Sequence, residues 1–186
     1  MVHGIHDFYA TVTKHQLLRD FNFRLQLINT DALVFNTTDE IVYAHAGTLP
    51  GRDITDHTVP FMGMDLHFGG SVKYPGSEGY KITLLMDASS ALREKLERAS
   101  RTIFNDKSST GDYRMPGTDQ TLVLSVVDSK LETIVNYTLV GVQVRNIGEI
   151  TFDYWKGTGD TVSCEITVAF QYYTSSSGSS DIVVAK

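Results

Sequence analysis

The chain has 186 residues, 41% of them hydrophobic, with 16 basic against 22 acidic side chains and a formal net charge of −6. That length suits one domain, and the apolar content suffices for a core, which excludes wholesale disorder. The acidic balance excludes a protein that grips phosphate backbones, because such proteins present a basic face.

Residues His6 to Arg19 read as a short N-terminal helix, with Phe8, Val12 and Leu18 at loosely helical spacing. Phe21 to Ile28 alternates apolar and polar side chains, which predicts a strand with one wet face. Asn29-Thr30-Asp31 is a turn signal. Ile41 to Ala46 is a second strand. Asp53 to Leu66 has strand-like pieces interrupted by Pro60 and Gly63, and the Gly69-Gly70 pair follows. Tyr80 to Met86 is another alternating strand.

Asp87 to Phe104 is the one strongly periodic helix. Leu92, Leu96, Ala99 and Ile103 fall on one face, Asp87 is placed to cap the start, and Arg98 and Arg101 suit the C-terminal dipole. Asn105 to Gly117 is a polar loop. Thr121 to Val127 and Thr133 to Val144 are strands around a turn at Asp128 to Lys130. Glu149 to Trp155 reads as a strand, Lys156 to Asp160 as a hairpin loop, and Thr161 to Tyr172 as the closing strand. Ser175 to Ser180 is a flexible tract. Many strands and one amphipathic helix predict a mainly β fold, a β-sandwich or small barrel with the helix packed on it.

Chemistry is scarce. The sequence holds no phosphate-binding glycine loop and no G-x-S-x-G elbow. His3 with His6, and Asp53 and Asp56 with His57, are too few for a metal's three or four ligands, so no metal and no cofactor is expected. Glu149 and Asp153 share a face of the expected strand; a polar outer face explains them as well as a carboxylate pair does. Cys164 alternates with Val162 and Ile166 and reads as a buried hydrophobe; being the only cysteine, it forms no intrachain disulfide. Residues 1–20 resemble no signal peptide, and no apolar run nears the roughly 20 residues that span a bilayer. The expectation is a soluble, cytosolically made protein without enzymatic activity.

Several segments, taken together, resemble the tail tube proteins of contractile-tailed bacteriophages, a family fold-related to Hcp. Gly148 to Trp155 looks like the family's Gly-Glu strand, and Cys164 to Tyr173 like its closing strand with an aromatic end. Upstream, Tyr43 to Pro50 is similar to the strand ending in a Leu-Pro turn, and Val59 to Met64 to the Pro-Phe-Met-Gly arm. Lys81 to Met86, followed by the helix, matches the strand-then-helix step. The resemblance spans residues 8 to 173 in order. The polar loop 105–117 and the tail 174–186 have no counterpart in it, which leaves open a main tube subunit or a baseplate-proximal one.

The resemblance implies a tail tube domain over residues 1–173, including an N-terminal arm over 1–20, and a flexible tail over 174–186. It implies a homohexameric ring with a continuous inner β-barrel. Stacked rings form the channel for genome delivery, and sheath contraction drives them into the host envelope. Partners would be further copies of the chain, the tail sheath protein, and baseplate and tail terminator proteins. DNA would pass the lumen without specific binding, and the virion tail would be the final location, with no membrane anchor. On that view strands 38–46, 56–66, 120–128 and 132–144 line the channel through Glu40, Thr121, Ser125, Glu132, Asn136 and Thr138. Bulk solvent would suit these side chains equally. The helix carries an excess of two positive charges, which leaves −8 on the remainder, the sign a wall that repels phosphates requires. The arm from Val59 to Gly79 exposes Phe61, Met62, Met64, Leu66 and Phe68, too apolar for a free loop. It packs on a neighbouring subunit or, alternatively, covers this chain's own core. Arg93, Arg98 and Arg101 would face the sheath. The runner-up readings are an Hcp-like type VI secretion tube and a tube-initiating baseplate protein. From a different class, a ligand-binding β-sandwich or an enzyme on that scaffold stays open.

Overall fold

A computed structural model describes residues 4–14, 18–30, 33–35, 44–111, 115–155, 159–177 and 180–181. Two antiparallel sheets carry the domain. The larger has strands in the order β14-β13-β10-β9-β1-β2: β1 Phe23–Thr30, β2 Leu33–Phe35, β9 Thr121–Val127, β10 Thr133–Val140, β13 Tyr172–Ser177 and β14 Ser180–Asp181. The smaller runs β11-β12-β6-β3: β3 Ala44–Ala46, β6 Tyr80–Leu85, β11 Gln143–Ile147 and β12 Ser163–Ala169. Neither sheet closes on itself. Strands β4 Asp53–Phe61 and β5 Met64–Lys73 form a separate hairpin, and β7 Phe104–Asn105 pairs with β8 Thr110–Gly111.

One core joins both sheets. Leu25, Ile28, Leu122, Leu124 and Leu139 come from the larger sheet; Tyr80, Ile82, Leu84, Cys164, Ile166 and Val168 from the smaller. Period-two alternation places these side chains, because each strand turns one face inward. Helix α2, Ala91–Ile103, adds Leu92, Leu96 and Ala99 and packs between edge strands β2 and β11, closing one side of the sandwich. Helix α1, Ile5–Lys14, keeps Ile5, Phe8 and Tyr9 exposed.

Several expected boundaries move. The N-terminal helix is shorter than expected, and Leu18 and Arg19 lie outside it. Asn29 and Thr30 belong to β1, with Thr30 paired to Leu33. Of the strand expected at 41–46, residues 41–43 lie outside the described residues. Helix α2 begins at Ala91, not Asp87. Its N-cap residue is Ser90 in a left-handed conformation with no side-chain cap bond. Asp87 accepts a hydrogen bond from the Ser89 hydroxyl, which holds its carboxyl below the ordinary value, and also accepts the Leu92 N–H at 3.5 Å, so it serves the first turn of the helix as expected although it lies three residues before Ser90.

The expected strands 133–144 and 161–172 each divide in two, at one shared corner. Gly141, with φ +69, breaks the first between Val140 and Gln143; Phe170 and Gln171 break the second. Gln171 N–H donates to the Val140 carbonyl at 2.9 Å, so the two strands bend together from one sheet into the other. The expected strand 149–155 is irregular backbone. Gly148 N–H donates to the Glu165 carbonyl at 2.7 Å, and no ladder continues beyond it. Glu149 and Asp153 therefore share no strand face. Of the expected hairpin loop, 156–158 lie outside the described residues. The tract expected to be flexible from Ser175 instead completes β13 and contributes Ser180 to β14; residues 178–179 and 182–186 lie outside the described residues.

Candidate assembly surfaces

The β4–β5 hairpin is the largest departure from a self-contained domain. All its residues are exposed. It turns at Met62 and Gly63, both with positive φ, as tight two-residue hairpin turns require. Val59 pairs with Leu66, Phe61 with Met64 and His57 with Phe68, which puts the apolar tip residues on one face. Pro60 pairs with Asp65, Thr58 with His67 and Asp56 with Gly69 on the other face, where Thr58 Oγ1 and His67 Nδ1 lie 3.3 Å apart. Met62, at the turn, is 89% exposed. Pro60 does not interrupt β4, because a two-stranded ribbon leaves edge positions whose N–H needs no partner. The expected channel strand 56–66 is thus part of this hairpin and of neither main sheet.

The hairpin's root is fixed. Tyr74 stacks edge-on with Tyr173 at 5.4 Å and lies 6.4 Å from Phe170, which in turn meets Tyr80 at 5.9 Å. Phe170 N–H donates to the Ser77 carbonyl at 2.9 Å. The arm therefore projects from the same corner at which the two sheets join.

Four candidate lining residues share the face of the larger sheet turned away from the core. Ser125 stands opposite Asn136, and Asn136 opposite Ser176; Val123 stands opposite Thr138, and Thr138 opposite Thr174; Thr121 stands opposite Val140. Ser125 is 0% exposed, its hydroxyl donating to Asn136 Oδ1 at 2.6 Å. Glu132 lies instead in the turn before β10, exposed, with its N–H donating to Asp128 Oδ1 at 2.9 Å. Glu40 lies outside the described residues. Among the described residues this face bears Ser, Thr and Asn side chains interspersed with Val123 and Val140, with Arg24 opposite Ser125 as its one cation and Asp181 at the register position opposite Ser176.

The helix arginines divide into two kinds. Arg98 pairs with Glu94 at 2.6 Å and Arg101 with Glu97 at 3.5 Å, both largely exposed. Arg93 is half-buried: its Nε donates to Glu97 at 3.0 Å and its Nη1 to the Gly148 carbonyl at 3.1 Å. Cys164 Sγ also contacts that carbonyl at 3.4 Å, and burial pushes the thiol up, so it stays protonated. Among the described residues no group of three or more His, Cys, Asp or Glu is placed to hold a metal. Asp53 and His57 lie on one face of β4 and Asp56 on the other. Among the described residues no helix is long and apolar enough to cross a membrane. Sequence reasoning missed the loop of residues 150–155, whose Phe152, Tyr154 and Trp155 are exposed; their strand-like alternation concealed them.

No protein-family model matches the chain, and no curated protein does. Solved structures do. A chain of the anti-feeding prophage baseplate, determined with 6-fold symmetry, superposes with a TM-score of 0.60 at 11% identity, over 88% of this chain and 97% of that one. A chain of the anti-feeding prophage tube-terminating cap gives 0.52 at 11% identity, over 88% and 93%. A chain of the PVC sheath–tube complex, from an extracellular contractile injection system, gives 0.50 at 11% identity, over 90% and 97%. The likeness at these identities is one of fold: mainly β, as the alternation and the family resemblance led one to expect.

Proposed function

We propose that this chain is a structural subunit of a contractile-tail tube, in which six copies close into a ring and rings stack into a channel. The observation that carries this reading is the β4–β5 hairpin, with an apolar face over Val59, Phe61, Met64, Leu66 and Phe68 that none of the described residues covers. An isolated two-stranded hairpin is marginal in water. Full burial of a large apolar side chain contributes roughly 1.5–3 kcal/mol, so a neighbouring copy on that face stabilises both. The fold shared with chains of sheath–tube, baseplate and cap assemblies supports the same reading.

The lumen wall in this reading is the outward face of the larger sheet. Hydroxyl and amide groups keep water in the gap, and few cations are present to hold a phosphate backbone by releasing its counterions. The cargo is DNA, which slides without specific binding, and the assembled site is the virion tail. Helix α2 faces the sheath through Arg98 and Arg101, and the ring stack ends on baseplate and terminator proteins.

Sedimentation of concentrated protein tests the hairpin's part. Phe61→Ala with Met64→Ala leaves a folded monomer that no longer sediments as polymer. A variant that unfolds would place the arm on its own core, and one that polymerises like the parent chain would remove the hairpin from the assembly.

A further inference from the structure

Two features on opposite edges of the smaller sheet have no partner among the described residues. The loop after β11 presents Phe152, Tyr154 and Trp155, which are 80%, 92% and 91% exposed. Tyr154 and Trp155 meet edge to face at 6.0 Å, and Asp153 Oδ1 accepts the backbone N–H of Trp155 at 2.9 Å. The loop's root is clamped by Arg93 and Glu165 at Gly148. Large exposed aromatic groups on a fixed base mark an interaction site, and such groups dominate interface energetics.

The second feature is a cavity of about 190 Å³ walled by Phe23, Leu124 and Val126 of the larger sheet and by Gly47 and Leu49, which follow β3. The Tyr80 hydroxyl donates to the Thr48 carbonyl and fixes that wall. An apolar cavity of about 150 Å³ takes up benzene, so this one has room for an aromatic ring. Strand β11 is one edge of the four-stranded sheet and β3 the other. A projection on one edge and a recess at the opposite edge make a head-to-tail contact, the kind that closes into a ring. Charge agrees. The loop carries Glu149 and Asp153, and the cavity lining carries Arg19, whose guanidinium sits 5.8 Å from the Phe21 ring; Asp20 on that lining is the one opposing charge.

We infer that the Trp155 side chain of one copy seats in the cavity of the next copy around the ring as the anchor, with Tyr154 beside it at the rim. The contact deepens the tube reading and rests on it. Trp155 is the chain's single tryptophan, so its fluorescence reports this contact alone. In dilute full-length protein the indole emits as an exposed group and acrylamide quenches it. On assembly the emission shifts to shorter wavelength and quenching is lost.

Two variants separate the halves. Trp155→Ala removes the anchor at an exposed position and leaves the monomer's melting temperature unchanged. Gly47→Leu fills the recess: a Cβ there meets Phe23 at 3.9 Å and Leu124 at 4.0 Å, ordinary contact distances, and φ is not positive. Each raises the concentration for half-assembly by roughly 30-fold or more. Mixed, the two form one-to-one pairs, because one intact loop meets one intact recess; neither pairs alone. Parent-chain rings with Trp155 still open to acrylamide, or Trp155→Ala rings at the parent concentration, overturn this contact and leave the tube reading standing. A parent chain that never assembles overturns both.

Discussion

Arg93 on α2 donates its Nη1 to the carbonyl of Gly148 at 3.1 Å, bridging residues 55 apart in sequence. The same guanidinium binds Glu97 at 3.0 Å, so one side chain ties the helix to the root of the aromatic loop. Arg93→Gln loses both charge-assisted bonds. With the side chain about a third exposed, the expected loss is about 1–2 kcal/mol, read by urea denaturation. A loss no larger than that of Arg98→Gln would contradict the bridging role.

Two glycines hold positions at which a side chain is strained. At Gly141, φ is +69 and an added Cβ falls 2.6 Å from Gln171 Cγ; at Gly148 it falls 2.6 Å from the Glu165 carbonyl oxygen. Gln171 can rotate, whereas a backbone carbonyl in a ladder cannot. Gly141→Ala is expected to cost about 1–3 kcal/mol through left-handed strain. Gly148→Ala is expected to cost more and to speed amide exchange along β11 and β12. Thermal denaturation of both variants checks the order.

Tyr80 titrates abnormally. Burial pushes its hydroxyl up to about 12, against a smaller lowering by its bond to Thr48. The folded state keeps the proton that the unfolded chain releases near pH 10. Stability is therefore full below pH 10, falls as pH rises from 10 to 12, and loses about 3 kcal/mol in all. Tyr80→Phe should flatten that slope. Urea midpoints measured across this window decide the point, and parallel slopes for the two proteins would contradict it.

The exposed arginines of α2 predict a separable phenotype. Arg98→Glu with Arg101→Glu leaves the Arg93 bridge intact and places like charges beside Glu94 and Glu97, at a cost of a few tenths of a kcal/mol per pair. The melting temperature should barely move and tube formation should persist, while co-sedimentation with the sheath partner is lost. Unchanged co-sedimentation would remove the helix from the sheath contact.

Much of the core was legible because each strand buries one face. Ile82 with Leu84, and Ile166 with Val168, stand out by alternation, and Leu92, Leu96 and Ala99 by helical spacing. The corner at Gly141 was not legible. Val140, Val142 and Val144 are buried on both sides of it, so alternation runs on through the bend. The hairpin turn was hidden because Met62 occupies a positive-φ position normally filled by Asn or Gly. The arm's apolar residues were legible, since Phe61 to Phe68 has too much apolar surface for a free loop. The hydroxyl face was found only in part. Thr121, Ser125, Asn136 and Thr138 share one face of the larger sheet, whereas Glu132 sits in a turn; Ser125 spends its hydroxyl on Asn136. Register between strands decides such placements, and one strand's pattern does not contain it.

Negative-stain microscopy of the concentrated full-length chain tests self-assembly into a tube most directly. The account predicts rings with a central hole and rods of stacked rings. Monodisperse single subunits at the same concentration would contradict it.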